Sequence, residues 1–516
     1  MEGAKVLRIR TKAKEQRTGS DGINGMEMVK EREEEEEPLS PGSRMFHEPD
    51  FNIHVLAIMG CKTMISVDVV KKQLPLTLVK HPRFSSLVVM DQKPGKQMKM
   101  KWVRTEVDME KHIVTPFIDP SIKASVESAD KFLEEYIHNL TKSKLDSSRP
   151  LWDLHLLNLR TSEAESVGIF RIHHSLGDGM SLMSLLLACT RQMADPTALP
   201  TIPGNNSSVK KRAGSGSKWM FWRFLMAVWW AVRLSSNTVV DFIMFLVTSL
   251  FLKDTVTPLK GRPGVEFTPR KIIYKIVDLD DFKLIKNAMD TTINDVALGI
   301  TQAGLSRYLN RVYEKSDVKK NCLNNIRLRA TLLINVRAVT GIQALADMME
   351  KDKEARWGNW VGYVLLPFRI GLRDDPLDFI RDAKAIVDRK KHSLEAVYTY
   401  TISEIFLKLL GVKIADALSH RVFANTTLSF SNMVGPVEEI GFWGHPMAFL
   451  APSCFGQPHA LMINLQSYNN KMAIALSVDA ETIPDPHQLA DDIIGSLKLI
   501  KDAVTAKQRA ERTPST

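Results

Sequence analysis

One segment of the chain has residue types and spacing suited to acyl transfer: His173-His174-Ser175-Leu176-Gly177-Asp178-Gly179. Only 13 histidines occur in 516 residues, so an adjacent pair followed by Asp-Gly is an uncommon pattern. Neutral imidazole, with an ordinary pKa of about 6.5, is the side chain best matched to accepting a proton near neutrality. His174 could take the proton of an alcohol as its oxygen attacks a thioester. Asp178 could pair with an arginine and lock the loop, or it could fix the imidazole tautomer. Gly177 and Gly179 would permit positive φ or close approach of a substrate chain. The plain alternative is a surface pair, or a core histidine beside a zinc or a backbone carbonyl. Zinc lacks a ligand set here. Adjacent residues on a strand point opposite ways, and no Cys or further His lies at ligand spacing nearby.

The flanks predict how the imidazoles are held. Val167 to Ile172 reads as a buried strand, and Met180 to Cys189 as a buried helix. The Ser-Leu-Gly-Asp-Gly turn between them continues neither element, so the histidines belong at a rigid strand end.

The motif resembles the active-site signature of acyl-CoA-dependent acyltransferases with a chloramphenicol-acetyltransferase-like fold. Among these it is most similar to the plant wax ester synthase/diacylglycerol acyltransferase group. Pro38-Leu-Ser-Pro41 with Phe46, Pro150-Leu151-Trp152 and Thr292-Ile293-Asn294-Asp295-Val296 agree. So do Asn335-Val336-Arg337, Gly358-Asn359 and Ser431-Asn432-Met433-Val434-Gly435-Pro436, in that order along the chain. Peptide condensation domains share the histidine motif but not this series. Trp357-Gly358 and Trp443-Gly444 are not the Asp-Phe-Gly-Trp-Gly motif of the neighbouring plant soluble acyltransferases.

The resemblance implies two similar α/β domains with a tunnel between them and the catalytic histidine near its middle. It implies direct transfer from fatty acyl-CoA, a co-substrate and not a resident cofactor, to a long-chain alcohol or diacylglycerol. His174 would be the base, His173 mainly structural, and Asp178 a loop anchor held through an arginine, next to Gly179. Asn294, followed by Asp295, is either an oxyanion donor worth about 3 kcal/mol or a helix N-cap. Arg337, beside Asn335, holds a carboxylate or a CoA phosphate, or braces the sheet. Ser431 and Asn432 contact substrate or form a turn that shapes the tunnel. The resemblance also implies the endoplasmic reticulum membrane, with the plasma membrane as a second location and the catalytic domains in the cytosol.

Bulk composition is compatible with this. The length suggests two domains plus extra segments, and 44% hydrophobic residues can build a large core. Cys61, Cys189, Cys322 and Cys454 lack paired spacing and read as buried thiols of a reducing compartment. The basic N-terminus has no following apolar run, so no secretory signal is expected. A net charge of +10 suits anionic lipid or coenzyme A. Nucleic acid is disfavoured, since the chain has no zinc finger, basic heptad helix or aromatic RNA-binding strand. Nor is there a glycine-rich phosphate loop, which leaves CoA recognition to scattered Lys and Arg.

Along the chain, residues 1–44 read as a disordered charged tail and 45–195 as the first acyltransferase domain. A Gly/Ser/Pro/Lys linker at 196–218 leads to 219–252, which holds four of the nine tryptophans within twelve residues. Arg223, Arg233 and Asp241 interrupt that segment, which predicts a shallow membrane-interface hairpin, with a single tilted pass or a buried hairpin as alternatives. A second linker at 253–268, a second domain at 269–507 and a tail at 508–516 complete the reading. Strands are expected at Lys271–Val277, Leu328–Val336 and Val361–Ile370, and a hairpin at Leu461–Val478. A helix capped by Thr292, a long helix from Pro376 to about Val412 and a closing helix from Pro486 are also expected.

Rival functions are an acyltransferase of the same fold with a short alcohol, amine or sterol acceptor, and a non-catalytic lipid carrier. A carrier has no need of an intact His-His-x-x-x-Asp-Gly.

Overall fold

A computed structural model describes residues 36–91, 99–203, 217–315, 325–337 and 357–512. The strands of the first half are β1 (Glu36–Pro38), β2 (His54–Cys61), β3 (Ser86–Asp91), β4 (Lys99–Arg104), β5 (Ile113–Val114), β6 (Trp152–Leu157), β7 (Ser166–His173) and β8 (Arg191–Gln192). Those of the second are β9 (Arg270–Asp278), β10 (Leu328–Asn335), β11 (Val361–Phe368), β12 (Leu428–Met433), β13 (Ile440–Phe442), β14 (His445–Phe455), β15 (Leu461–Tyr468) and β16 (Lys471–Asp479). They build a seven-stranded sheet in the order β5-β6-β7-β2-β14-β13-β8 and a six-stranded sheet in the order β11-β10-β12-β15-β16-β9. A small third sheet, β1-β4-β3, lies beside the first. The expected two-domain α/β architecture is present.

The domains exchange a strand. Residues 440–455 come from the second half of the sequence, yet β14 pairs antiparallel with β2, from Met447 opposite Cys61 to Phe455 opposite His54. β2 is buried along nearly its whole length and is already bonded to β7 on one side. A buried strand needs partners on both edges for its backbone groups, and β14 supplies the second. The domain boundary expected at residue 269 therefore does not hold for this segment.

Helices complete the layers: α1 (Pro41–Met45), α2 (Val126–Lys142), α3 (Gly179–Cys189), α4 (Ser217–Leu250), α5 (Leu279–Ala288), α6 (Ile293–Lys315), α7 (Asp378–Lys391), α8 (Glu395–Leu409), α9 (Val412–Asn425) and α10 (Pro486–Arg512). The expected tail at 1–44 falls outside the described residues up to 35. From Glu36 the chain is ordered: β1 pairs with β4, Leu39 is buried, and Glu37 pairs with Arg83. Cys322 and most of the 196–218 linker also lie outside the described residues, whereas the 253–268 connection is packed through buried Asp254 and Leu259. The tail expected from residue 508 instead continues α10 to Arg512.

Two helical expectations change. The stretch from Pro376 to about Val412 is two helices, α7 and α8, not one, with α9 starting at its end. Asn237 of α4 donates to the carbonyls of Arg389 and His392 at the end of α7, and Gly411, at φ +84°, separates α8 from α9. The tryptophan-rich segment is one continuous helix of 34 residues, about 51 Å long, not a hairpin. Its charges are accommodated without a turn. Arg233 lies over the rings of Trp229 and Trp230, and buried Asp241 pairs with Arg389 and Lys390 at 2.8 Å each. Phe221 to Val232 are exposed on every side, whereas Asp241, Phe245, Thr248 and Ser249 form a stripe buried against the second domain. Phe221–Leu250 is long and apolar enough, by length and composition, to cross a membrane.

Helix α8 lies directly on β11. A Cβ at Gly362 would sit 1.9 Å from the carbonyl oxygen of Ala396, and Thr399 and Glu395 accept from the backbone N–H groups of Tyr363 and Leu365. Gly362→Ala should therefore force the helix off the sheet and destabilise the fold by about 1–3 kcal/mol. Thermal unfolding in detergent checks this, and an unchanged midpoint would refute the close approach.

Candidate active site

β7 ends at His173, and a single turn of 3-10 helix, His174–Leu176, redirects the chain into α3. The two imidazoles point to different surroundings, as alternation along a strand requires. His173 is buried: its Nδ1 lies 2.7 Å from Ser175 Oγ and its Nε2 3.0 Å from Asn52 Oδ1. The rings of His47 and His54 pack on it at 4.6 and 5.1 Å. Burial holds the His173 pKa well below its ordinary value, and lowers His47 to about 4 and His54 to about 3.

His174 retains accessible surface and lines a cavity of about 900 Å³ between the two sheets. Its backbone N–H donates to Ile53 O at 2.9 Å, and Phe46 stacks on its ring at 4.4 Å. Its Nδ1 lies 3.2 Å from Asn359 Oδ1. The Asn359 amide is oriented by its other end, which donates to His174 O at 3.0 Å and to Ser43 Oγ at 3.2 Å. The Asn359 oxygen must then accept, so Nδ1 carries the hydrogen and Nε2 keeps its lone pair. Burial lowers the His174 pKa, partly opposed by the charge of Asp178. The imidazole is thus neutral at pH 7.

Asp178 does not touch the imidazole. One oxygen accepts from Ser181 N at 2.9 Å and caps α3; the other accepts from Arg337 Nη1 at 2.7 Å and Trp360 N at 3.0 Å. Arg337 also donates to Asn335 Oδ1, Ser181 Oγ and Gly358 O, and both members of the ion pair are buried. Of the two alternatives for Asp178, the structure has the arginine lock. Of those for Arg337, it has the carboxylate. Neither motif glycine is in the left-handed region; Gly177, at φ 169°, is extended. A Cβ at Gly179 would lie 2.6 Å from Met433 Sδ, and one at Gly177 3.3 Å from Trp357, so close approach is what they provide.

Thr292, not Asn294, begins α6. Asp295 Oδ2 accepts from the N–H and hydroxyl of Thr292, and Thr292 Oγ1 accepts from Asp295 N, a reciprocal capping box. Asp295 is buried in this role. Asn294, one turn residue earlier, lines the cavity and accepts from Asn432 Nδ2. Ser431, Asn432 and Asn335 also line it. The cavity thus gathers His174, Asn294, Asn335, Ser431 and Asn432, while His173, Asp295 and Arg337 stand behind its wall. Asn359, Phe46 and Ser43 had no assigned role from sequence, because each acts only through a contact made across the fold.

Much of the remaining wall is apolar, although Lys390, Lys391, Glu404 and His445 also line it. Alternate residues of β2 (Val55, Ala57, Met59, Cys61) line it, with Phe170 and Ile172 of β7. The strand spans about 26 Å from the histidine end. Cys61, Cys189 and Cys454 are free thiols on this wall, and burial pushes them up to about 11, 12 and 12.

Residues 45–297 match the model of the wax ester synthase/diacylglycerol acyltransferase catalytic domain, and residues 357–501 that of the WS/DGAT C-terminal domain. Wax ester synthase/diacylglycerol acyltransferase 11 of Arabidopsis thaliana is 50% identical over 472 residues, covering 91% of this chain and 96% of that protein. Number 5 of the same series is 50% identical over 486 residues, 92% and 95% respectively. Among solved structures, the wax ester synthase/diacylglycerol acyltransferase from Marinobacter aquaeolei VT8 has a TM-score of 0.56 at 17% identity, covering 91% of this chain and all of that one. The first condensation domain of the CDA synthetase shares the fold, with a TM-score of 0.50 at 12% identity over 87% and 91% of the two chains.

The buried histidines set a pH dependence. Their folded pKa values lie below the unfolded value of about 6.5, so the folded state binds fewer protons and stability is fully present above that pH. As pH falls from 6.5 towards 4, His47, His54 and His173 each take up a proton on unfolding. The melting temperature should therefore fall steadily over this window. A flat profile between pH 6.5 and 5 would contradict the burial of this cluster.

Proposed function

The chain belongs to the wax ester synthase/diacylglycerol acyltransferase family and is an acyltransferase; from its site we propose direct transfer from fatty acyl-CoA to a long-chain alcohol, with diacylglycerol as a further acceptor. The observation that carries the reading is the neutral imidazole of His174 on the cavity wall, its Nδ1 bonded to Asn359 and its Nε2 without a hydrogen-bond partner among the described residues. In this reading Nε2 takes the hydroxyl proton of the acceptor while that oxygen attacks the thioester carbonyl. The tetrahedral intermediate collapses, the C–S bond breaks, and the proton passes from the imidazolium to the CoA thiolate. Asn294, held by Asn432, is the oxyanion donor of this reading, worth about 3 kcal/mol. Asp178 and Arg337 are positioning residues.

Two features favour direct transfer over a covalent acyl-enzyme. The cavity thiols are held far from ionisation, and thiolate is the nucleophilic form. The apolar track of β2 suits an alkyl chain laid away from the histidine. His174→Ala should leave melting behaviour near that of the parent and abolish ester formation from labelled palmitoyl-CoA and hexadecanol. In the parent, kcat/KM should hold its plateau as pH drops through 6.5, because the base titrates lower. Near-parental turnover in the variant would remove His174 as the base.

Attachment to a membrane through α4 belongs to the same reading. A helix segment exposed on every side and apolar except for Arg223, as Phe221 to Val232 is, suits lipid better than water. That free portion is about 18 Å long, short of the ~30 Å hydrocarbon core, so it enters the bilayer without crossing it. The four tryptophans and Arg223 and Arg233 suit the headgroup boundary. Deleting residues 219–232 should move the protein from the pelleted membranes to the supernatant, and unchanged pelleting would count against the anchor.

A further inference from the structure

Helix α8 has two faces with different partners. Tyr400, Ser403, Glu404 and Leu407 line the cavity. On the opposite side Ile405 and Leu409 are 47% and 77% exposed, and Val397, on the flank beside Glu404, is 52% exposed. The apolar surface continues past the Gly411 turn through Leu410 and Ile414. It also runs on from α4: Leu394 N donates to Thr238 Oγ1 at 3.1 Å, and Phe242 and Phe245 pack edge-on against Tyr398. Lys413 and Arg421 are exposed around it, as is Lys408, which pairs with Glu404 at 3.1 Å. One helix layer thus separates the cavity from a contiguous aliphatic surface fringed with cations.

We propose that the outer face of α8 and the start of α9 form a second bilayer contact, seated among anionic headgroups, that opens the cavity beside α8 to lipid entering sideways from the membrane. Contiguity with α4 puts this surface at the depth of the immersed helix, and the cationic fringe matches an anionic lipid surface. The acceptor then reaches His174 without passing through water. The proposal rests on the membrane reading of α4 and adds a route to it.

The test uses the full chain with Ile405→Glu and Leu409→Glu combined, both outside the cavity wall. Hexadecanol is supplied either within phosphatidylcholine vesicles containing phosphatidylserine or as a cyclodextrin complex in detergent solution. Vesicle-borne acceptor should be esterified about tenfold or more slowly, the scale of keeping two aliphatic side chains out of an apolar medium, with cyclodextrin-borne acceptor within about twofold of the parent. Pelleting through α4 should persist in the variant. A parent chain that fails to pellet would instead overturn the membrane reading itself. As a second measurement, a polarity-sensitive dye on Leu409→Cys should shift to the blue when vesicles are added. Equal turnover from both deliveries, equal loss in both, or a dye that stays in water would overturn the proposal. So would a change from dimer to monomer with vesicle turnover intact, which would assign the surface to a second copy of the chain.

Discussion

The buried ion pair between Asp178 and Arg337 is the constraint on which the active site depends. Asp178 stands at the start of α3, on the first sheet's side, and Arg337 just beyond the end of β10, in the second sheet. The pair fastens two domains across the cavity that separates them. Isolated buried charges would be costly, and each is compensated in full view: the carboxylate also accepts from Ser181 and Trp360, and the guanidinium also donates to Asn335, Ser181 and Gly358. Breaking such a pair by removing one partner typically costs about 3–5 kcal/mol, because the survivor is left uncompensated. The contacts with Gly358 and Trp360 flank Asn359, the residue that orients His174. The ion pair therefore positions the His174 imidazole through a residue next door, without touching it.

That arrangement resolves a conflict between the needs of a base and the needs of an apolar cavity. Burial favours the neutral imidazole, which is the form that accepts a proton, and so helps the first half of the reaction. It also penalises the imidazolium formed halfway. The charge of Asp178, itself on the cavity wall and paired with Arg337, opposes this penalty and leaves the Nδ1 hydrogen bond to the neutral Asn359 amide. A carboxylate bonded directly to Nδ1 would raise basicity further but would leave a full charge beside the alkyl track. The fold uses an amide for orientation and a remote, fully paired carboxylate for charge.

Much of this was legible from residues alone, and the gaps have a common cause. The strand, turn and helix around the motif, the capping box at Thr292 and the hairpin of β15 and β16 depend on local pattern, and local pattern survives in a sequence. The place of β14 in the first sheet does not, because its pairing with β2 spans almost 400 residues of chain and no local period encodes it. Asn359 was visible as part of a recurring stretch, but its task is fixed only by contacts with Ser43 and His174. The tryptophan-rich segment was divided at Arg233 and Asp241, where charges look like breaks. In the folded chain Arg233 lies over the rings of Trp229 and Trp230, Asp241 pairs with Arg389 and Lys390, and the helix runs through.

Asp241 also ties α4 to the candidate active site. It is buried against Arg389 and Lys390 at the end of α7, and Lys390 reaches on to Glu395, which holds the backbone of β11 through Leu365. β11 pairs with β10 along its whole length, and Arg337 follows directly from β10. A continuous set of ion pairs and strand bonds therefore connects α4 to the lock behind His174. An anchor joined only by a flexible linker would leave the cavity free to tumble over the bilayer. In the proposed attachment, one bolted through a buried carboxylate would hold the cavity in a fixed orientation to the bilayer that α4 enters, as an enzyme drawing one substrate from lipid and the other from water would require.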